Sequence, residues 1–291
     1  MTCPPPAPTL GLWFDAPRPN DDASILAEAQ RLSAAVDRVS IRLNAGTGDL
    51  WRPTWRAEAL IDFSFALQEE GLEVRWMLDP KGTLEAIDQT CRDLHHLYGL
   101  GAVRGWEASG GVEPCRPELD LEPWTKDFNE GRADRLIDEL EAFYPFGVAV
   151  NCVPTGKGQL HRYVLAFLAD PRVNIVTLQS YLQYQGEGHW TKDRVFRPRG
   201  SYLDTCEATA KEIESPDRVV ALGQAVHAQN HPAPHPRGIE ALKVVRGRML
   251  TLGRSWDCWS RASVDTQAEW DYLAETKAML RAIRVGAGGV A

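Results

Sequence analysis

The sequence predicts an α/β fold, a single-domain (β/α)8 TIM barrel, and three observations predict it. Short apolar runs alternate with amphipathic, helix-period stretches eight times along the chain. Runs such as Val148-Ala149-Val150 and Val219-Val220-Ala221-Leu222 are apolar on both faces, as a parallel sheet covered by helices requires. The alternation fills about 250 residues, the usual size of this barrel. An open doubly wound sheet is the runner-up. It fits less well, because no Gly-rich phosphate loop follows the first strand. The barrel is placed at 11–285, between a flexible N-terminal segment at 1–10 and a flexible C-terminal tail at 286–291.

The elements follow in order. Leu12-Trp13-Phe14-Asp15 is a short strand, and a helix over about 22–34 starts at Asp22 as N-cap. Arg38 to Asn44 is the second strand; its helix, about 54–70, starts at Thr54 and ends before Gly71. Glu73 to Asp79 is the third, with a helix over about 84–98 stopped by Gly99. Glu118 to Glu122 is the fourth, with a helix over about 129–143. Phe146 to Val153 is the fifth, with a helix over about 160–169. Val173 to Tyr181 is the sixth, and its helix, near 203–214, comes after a long loop from Gln183 to Arg199. Val219 to His227 and Ser255 to Trp259 are the seventh and eighth, with helices over about 239–250 and 266–284. A second long loop, Glu107 to Arg116, precedes strand four.

Composition narrows the function. The 291 residues are 44% apolar and 25% charged, an ordinary globular balance. A net charge of −8 with no Lys/Arg-rich run argues against nucleic acid or an anionic membrane as partner. The start, Met1-Thr2-Cys3-Pro4-Pro5-Pro6, has neither the basic nor the apolar region of a signal peptide, and no apolar run spans a bilayer. The expectation is cytoplasmic synthesis, as a monomer or as part of a larger particle. Six scattered cysteines give no zinc ribbon and no compact disulfide framework. They read as free thiols, Cys152 and Cys258 as small core residues, with one or two disulfides left open.

The stretch Glu118-Leu119-Asp120-Leu121-Glu122-Pro123-Trp124 is the most informative in the chain. In a strand it puts Asp120 and Glu122 side by side on one face, with Leu119 and Leu121 on the other. An ordinary core strand does not place acids on its inner face, because burying an unpaired carboxylate is costly. Two carboxylates held close keep one protonated near neutral pH, the apparatus of glycosidic bond cleavage. Glu122 is the candidate general acid, with Trp124 as an apolar wall that raises its pKa. The competing reading pairs that carboxylate with an arginine such as Arg42 or Arg75 inside the barrel. Asp120 is placed to stabilise an oxazolinium ion or to orient Glu122, with Asp15 or Asp257 as nucleophile or electrostatic partner.

Active sites of this fold sit at the C-terminal ends of the strands. The polar residues there are Asp15, Asn44, Asp79, Asp120 with Glu122, Asn151, Gln179 with Tyr181, Gln224 with His227, and Asp257 with Trp259. Ten tryptophans supply faces for stacking on sugar rings, although core filling accounts for many of them. The candidate substrate-binding residues are Tyr181, Gln179, Asn151, Trp124, Trp256, Trp259 and Gln224. His227, His231 and His235 have the spacing of a helical metal face, but Pro232, Pro234 and Pro236 forbid that helix. No metal and no cofactor are expected. Gly156-Lys157-Gly158 lacks the P-loop spacing, and no serine-hydrolase elbow appears.

Asp120-Leu121-Glu122 closing a fourth strand resembles the retaining barrel glycosidases of the chitinase and phage-type lysozyme (glycoside hydrolase 25-like muramidase) groups. Asp15 at the end of strand one resembles the muramidase arrangement, and Tyr181 with Trp256 or Trp259 resembles the sugar-binding pieces of both. The resemblance implies that Glu122 is the proton donor. It also departs from the family: Glu118 is the only further acid in register, and Ser40-Ile41-Arg42-Leu43-Asn44 lacks the chitinase Gly-Gly. The expected substrate is a β-linked N-acetylated polysaccharide, peptidoglycan or chitin-like, reached by release at lysis or on a virion or injected particle. A catalytically silent sugar-binding or structural barrel and a metal-dependent hydrolase or deacetylase are the alternatives.

Overall fold

The computed structural model describes residues 8–14, 21–43, 56–78, 84–106, 112–121, 130–152, 160, 162–180, 189–190, 196–197, 202–225, 238–259 and 266–288. Strand β1 (Leu10–Phe14) leads to helix α1 (Asp22–Ala35), then β2 (Arg38–Arg42), α2 (Ala57–Glu69), β3 (Glu73–Leu78) and α3 (Leu84–Arg104). The chain continues with β4 (Arg116–Leu121), α4 (Glu130–Phe143), β5 (Val148–Cys152), α5 (Arg162–Ala169) and β6 (Val173–Gln179). A two-stranded pair, β7 (His189–Trp190) with β8 (Phe196–Arg197), precedes α6 (Tyr202–Ile213). The last units are β9 (Val219–Ala225), α7 (Ile239–Leu252), β10 (Trp256–Trp259) and α8 (Gln267–Gly288).

Eight of these strands close into one parallel barrel in the order β1-β10-β9-β6-β5-β4-β3-β2. The predicted (β/α)8 fold is therefore present, its described elements running from Leu10 to Gly288. The strands are apolar on both faces for the predicted reason. Their outward residues, such as Leu10, Leu12, Val39, Ile41, Val74, Trp76, Leu119, Val150, Val176 and Leu222, pack under the helices in one continuous core.

Helix boundaries differ in detail. The N-cap of α1 is Asp21, not Asp22; its carboxylate accepts from the Ser24 amide (3.0 Å), and the Ser24 hydroxyl completes a capping box. Helix α2 starts after Arg56, which makes no side-chain cap, and Thr54 lies outside the described residues. Gly99 does not stop α3: the helix runs on to Arg104, and Gly105 ends it with φ +123°. Packing decides this, since a Cβ on Gly101 would stand 2.0 Å from the Trp106 ring. Trp106 closes a buried aromatic group with Trp76 and Tyr98 (centroids 5.0 and 5.9 Å). Helix α1 ends without glycine. Lys277 of α8, buried, donates to the carbonyls of Ser33 (2.5 Å) and Val36 and so serves as its C-terminal cap.

The segment Gln183 to Arg199, read from sequence as a plain loop, carries the short β7–β8 ladder. Cys91, Cys115, Cys152, Cys206 and Cys258 are buried free thiols, and Cys3 lies outside the described residues. Among the described residues no helix is long and apolar enough to cross a membrane.

Candidate active site

Alternation along each strand sends every second residue to the barrel interior, where side chains from alternate strands stack in layers. Ser40 of β2, Glu118 of β4, Thr177 of β6 and Asp257 of β10 make a middle layer, each no more than 1% exposed. Ser40 Oγ donates to Glu118 Oε2 (2.5 Å), and Thr177 Oγ1 donates to Asp257 Oδ2 (3.0 Å). The next layer comes from the intervening strands: Trp13, Met77, Asn151 and Gly223. Gly223 gives the indole its room, since a Cβ there would meet Trp13 Cη2 at 2.9 Å. Above it stand Arg42, Asp120 and Gln179, with the backbone of Trp259 two residues beyond Asp257.

Barrels of this kind are usually filled with branched aliphatics. Here the middle is ionic. Arg38 donates through Nε (3.0 Å) and Nη2 to Asp257 Oδ1, and through Nη1 to Thr9 Oγ1 (3.0 Å). Arg75 donates to Glu73 (2.7 Å) and lies 3.9 Å from Glu118 Oε2. Burial opposes the charge on Arg38, but Asp257 and Glu73 outweigh it and raise its pKa. Desolvation also acts against ionised Glu73, although its side chain stays 44% exposed at the start of β3, and Arg75 and Arg38 hold its carboxyl down at about 2. Glu118 goes the other way. Burial raises its pKa and the Asp257 charge adds to that, against the pull of Arg75 and Ser40. Burial also pushes the Cys152 and Cys258 thiols well above their ordinary range, so neither is a thiolate nucleophile.

Asp120 is at the top of this stack, 7% exposed, and Gln179 Nε2 donates to its Oδ1 (3.1 Å). Asn151, on the strand between them, is in register with Asp120 and faces the same interior. Asp120 and Gln179 therefore meet at the C-terminal end of β4 and β6, with Asn151 in the layer beneath.

Two predicted site residues do not join them. Asp257 faces inward but one step lower, with its carboxylate engaged by Arg38 and Thr177, so it is structural and not a free nucleophile or partner. Trp256 points the opposite way: it is fully buried in the core between sheet and helices, because it is one residue out of phase with Asp257. Gln224 is in register with the core residue Cys258, and Trp259 with Ala225; their side chains are outside the described ones. Glu122, Asp15, Tyr181 and Trp124 also lie outside the described residues, as do Asn44, Asp79 and the three clustered histidines. Among the described residues no three His, Cys, Asp or Glu side chains gather to hold a metal.

Sequence reading missed the interior network of Arg38, Ser40, Arg75, Thr177 and Glu118. Its signal was present: Arg38-Val39-Ser40, Val74-Arg75-Trp76 and Glu118 each put a polar group on the alternate face of an apolar strand. An arginine does stand beside a β4 carboxylate inside the barrel, but it is Arg75 beside Glu118, and Glu122 lies outside the described residues.

Solved structures share this barrel. A chitinase of glycoside hydrolase family 18 from Pseudoalteromonas aurantia superposes over 92% of this chain and 99% of its own, at 11% identity and TM-score 0.56. This likeness shows the fold, a closed (β/α)8 barrel. The β-galactosidase of the psychrophilic Marinomonas ef1 matches over 96% of this chain and 60% of its own (11% identity, TM-score 0.64). The Bacillus cereus spore cortex-lytic enzyme SleL matches over 93% and 74% (9% identity, TM-score 0.54). No family model and no curated protein matches the sequence.

Proposed function

We propose that this protein is a glycoside hydrolase that cleaves a β-linked N-acetylated polysaccharide, with peptidoglycan the best-fitting substrate. The observation that carries the reading is the acid face of β4. Asp120 stands inward at the strand's C-terminal end, held by Gln179, directly above Glu118. The sequence alternation expects Glu122 on the same face, and that residue lies outside the described ones.

In this reading Glu122 is the general acid and protonates the leaving glycosidic oxygen. Asp120, fixed by Gln179, faces the positive charge that builds as the bond breaks. With an N-acetylated sugar that charge passes to the ring formed when the acetamido oxygen attacks the anomeric carbon. Asp257 drops out, because its charge is already matched by Arg38. Asp15 remains the candidate second acid, and Tyr181, Trp124 and Trp259 remain candidates for holding the sugar, while Asn151 lies buried in the layer beneath. A chitinase and a spore cortex-lytic enzyme among the structural neighbours agree with this substrate class. Release at lysis, or carriage on a virion or injected particle, would bring the protein to a cell wall.

The test is product analysis. The protein is incubated with purified cell walls and with chitin oligomers, and turbidity and the masses of soluble fragments are followed. Fragments with new reducing ends support a glycosidase. Binding without fragments would make the chain a silent sugar-binding barrel instead.

A further inference from the structure

The barrel interior holds four buried polar atoms that find no hydrogen-bond partner: Arg75 Nη1, Glu118 Oε1, Trp13 Nε1 and Asn151 Oδ1. All four residues are 2% exposed or less. They are not scattered. Alternation puts all four on the inner face, in successive layers from Arg75 up to Asn151 and Trp13. Two of the atoms are donors and two are acceptors. Leaving each unsatisfied would cost the fold the desolvation of that group, which native interiors rarely tolerate.

The spacing points to what lies between them. Arg75 Nη1 is 3.9 Å from Glu118 Oε2, too long for a direct hydrogen bond, and Oε2 already accepts from Ser40, so Oε1 is the oxygen left over. The wall beside them is small: Ala149, in register with Glu118, and Ala221, in register with Thr177, present only methyl groups. A buried water needs two to four polar partners, and these atoms supply that number in matched sign.

We propose that the barrel axis beneath Asp120 and Gln179 is an ordered water site that joins Arg75, Glu118, Trp13 and Asn151. Each water accepts from Arg75 or Trp13 and donates to Glu118 or Asn151. The water fixes the amide of Asn151 and the indole of Trp13 and makes them the rigid floor under the Asp120–Gln179 pair. Asn151 is then a positioning residue whose reach to the site passes through water. The inference stands apart from the proposed hydrolysis, because its test reads water and not turnover.

The test is nuclear magnetic resonance on the full chain labelled with nitrogen-15, with the Trp13 indole signal assigned through Trp13→Phe. Magnetisation transfer from water to the Trp13 indole proton is compared with that to Trp76, whose Nε1 donates to Ser64 Oγ at 3.1 Å. A water cross-peak is expected at Trp13 and none at Trp76. Asn151→Leu removes the acceptor and fills the space, so the Trp13 cross-peak should fall to the Trp76 level. Asn151→Ala, which leaves the space open, should retain it. A Trp13 indole as dry as Trp76 in the unmodified protein would overturn the water site. An undiminished cross-peak in the leucine variant would overturn the part given to Asn151.

Discussion

Arg38 and Asp257 meet across β1 at the position where that strand carries glycine. The Arg38 Nε is 3.0 Å from Asp257 Oδ1, and a Cβ on Gly11 would stand 1.9 Å from the same oxygen. Gly11 is thus required for space, not for backbone freedom. It opens the inner wall so that a charged pair can cross the barrel at full burial.

Breaking that pair leaves an uncompensated charge in the interior. Arg38→Met is expected to lower the unfolding free energy by about 3–5 kcal/mol, measured by denaturant titration. The double variant Arg38→Met/Asp257→Leu, with both charges gone, should recover most of the loss. Equal losses in the single and double variants would contradict the pairing.

Glu118 and Glu73 give opposite pH dependences. Glu118 has a folded pKa above the ordinary 4.5. Its contribution is present below that value and is lost as pH rises through the folded pKa. Glu73 is held at about 2, so its contribution is present above 4.5 and is lost as pH falls toward 2. Glu118→Gln should therefore gain stability relative to the unmodified protein as pH rises above about 4.5. Glu73→Gln should lose relative stability over that upper range and flatten the acid limb. Unfolding midpoints across pH decide both.

The architecture was legible because each strand is a separate apolar run and each helix keeps its period, as in Val148–Cys152 and Ile239–Leu252. The interior was harder to read. Arg38 received no role, Arg75 was weighed only as a partner for Glu122, and Glu118 only as a further acid in register, since partners far apart in sequence meet only when the barrel closes. Asp257 was misread as a rim acid for the same reason: its arginine lies 219 positions away. Trp256 was misread because one residue of phase separates the sugar-facing side from the helix-facing side. Gly99 was misread as a stop because local propensity ignored the Trp106 contact at Gly101.

If Asp120 acts on the substrate through the orientation Gln179 gives it, the two residues should fail in a graded way. Asp120→Asn is expected to reduce turnover by about 10²–10⁴ while the unfolding midpoint stays near that of the parent. Gln179→Ala should reduce turnover in the same direction by less, with KM little changed. A Gln179 variant at full activity would separate that hydrogen bond from function.

Carboxylate chemistry needs no Lewis acid. Hydrolysis is therefore expected to survive exhaustive chelation. Loss of activity with EDTA and its return with zinc would move the chemistry to His227, His231 and His235.

Glu122→Gln tests the central claim most directly. The amide keeps the shape of the side chain but cannot give up the proton, so fragment release from cell walls or chitin oligomers should fall by about 10²–10⁴. Binding of the same oligomers and the unfolding midpoint should remain those of the parent. Fragment release at the parental rate by the glutamine variant would contradict the account.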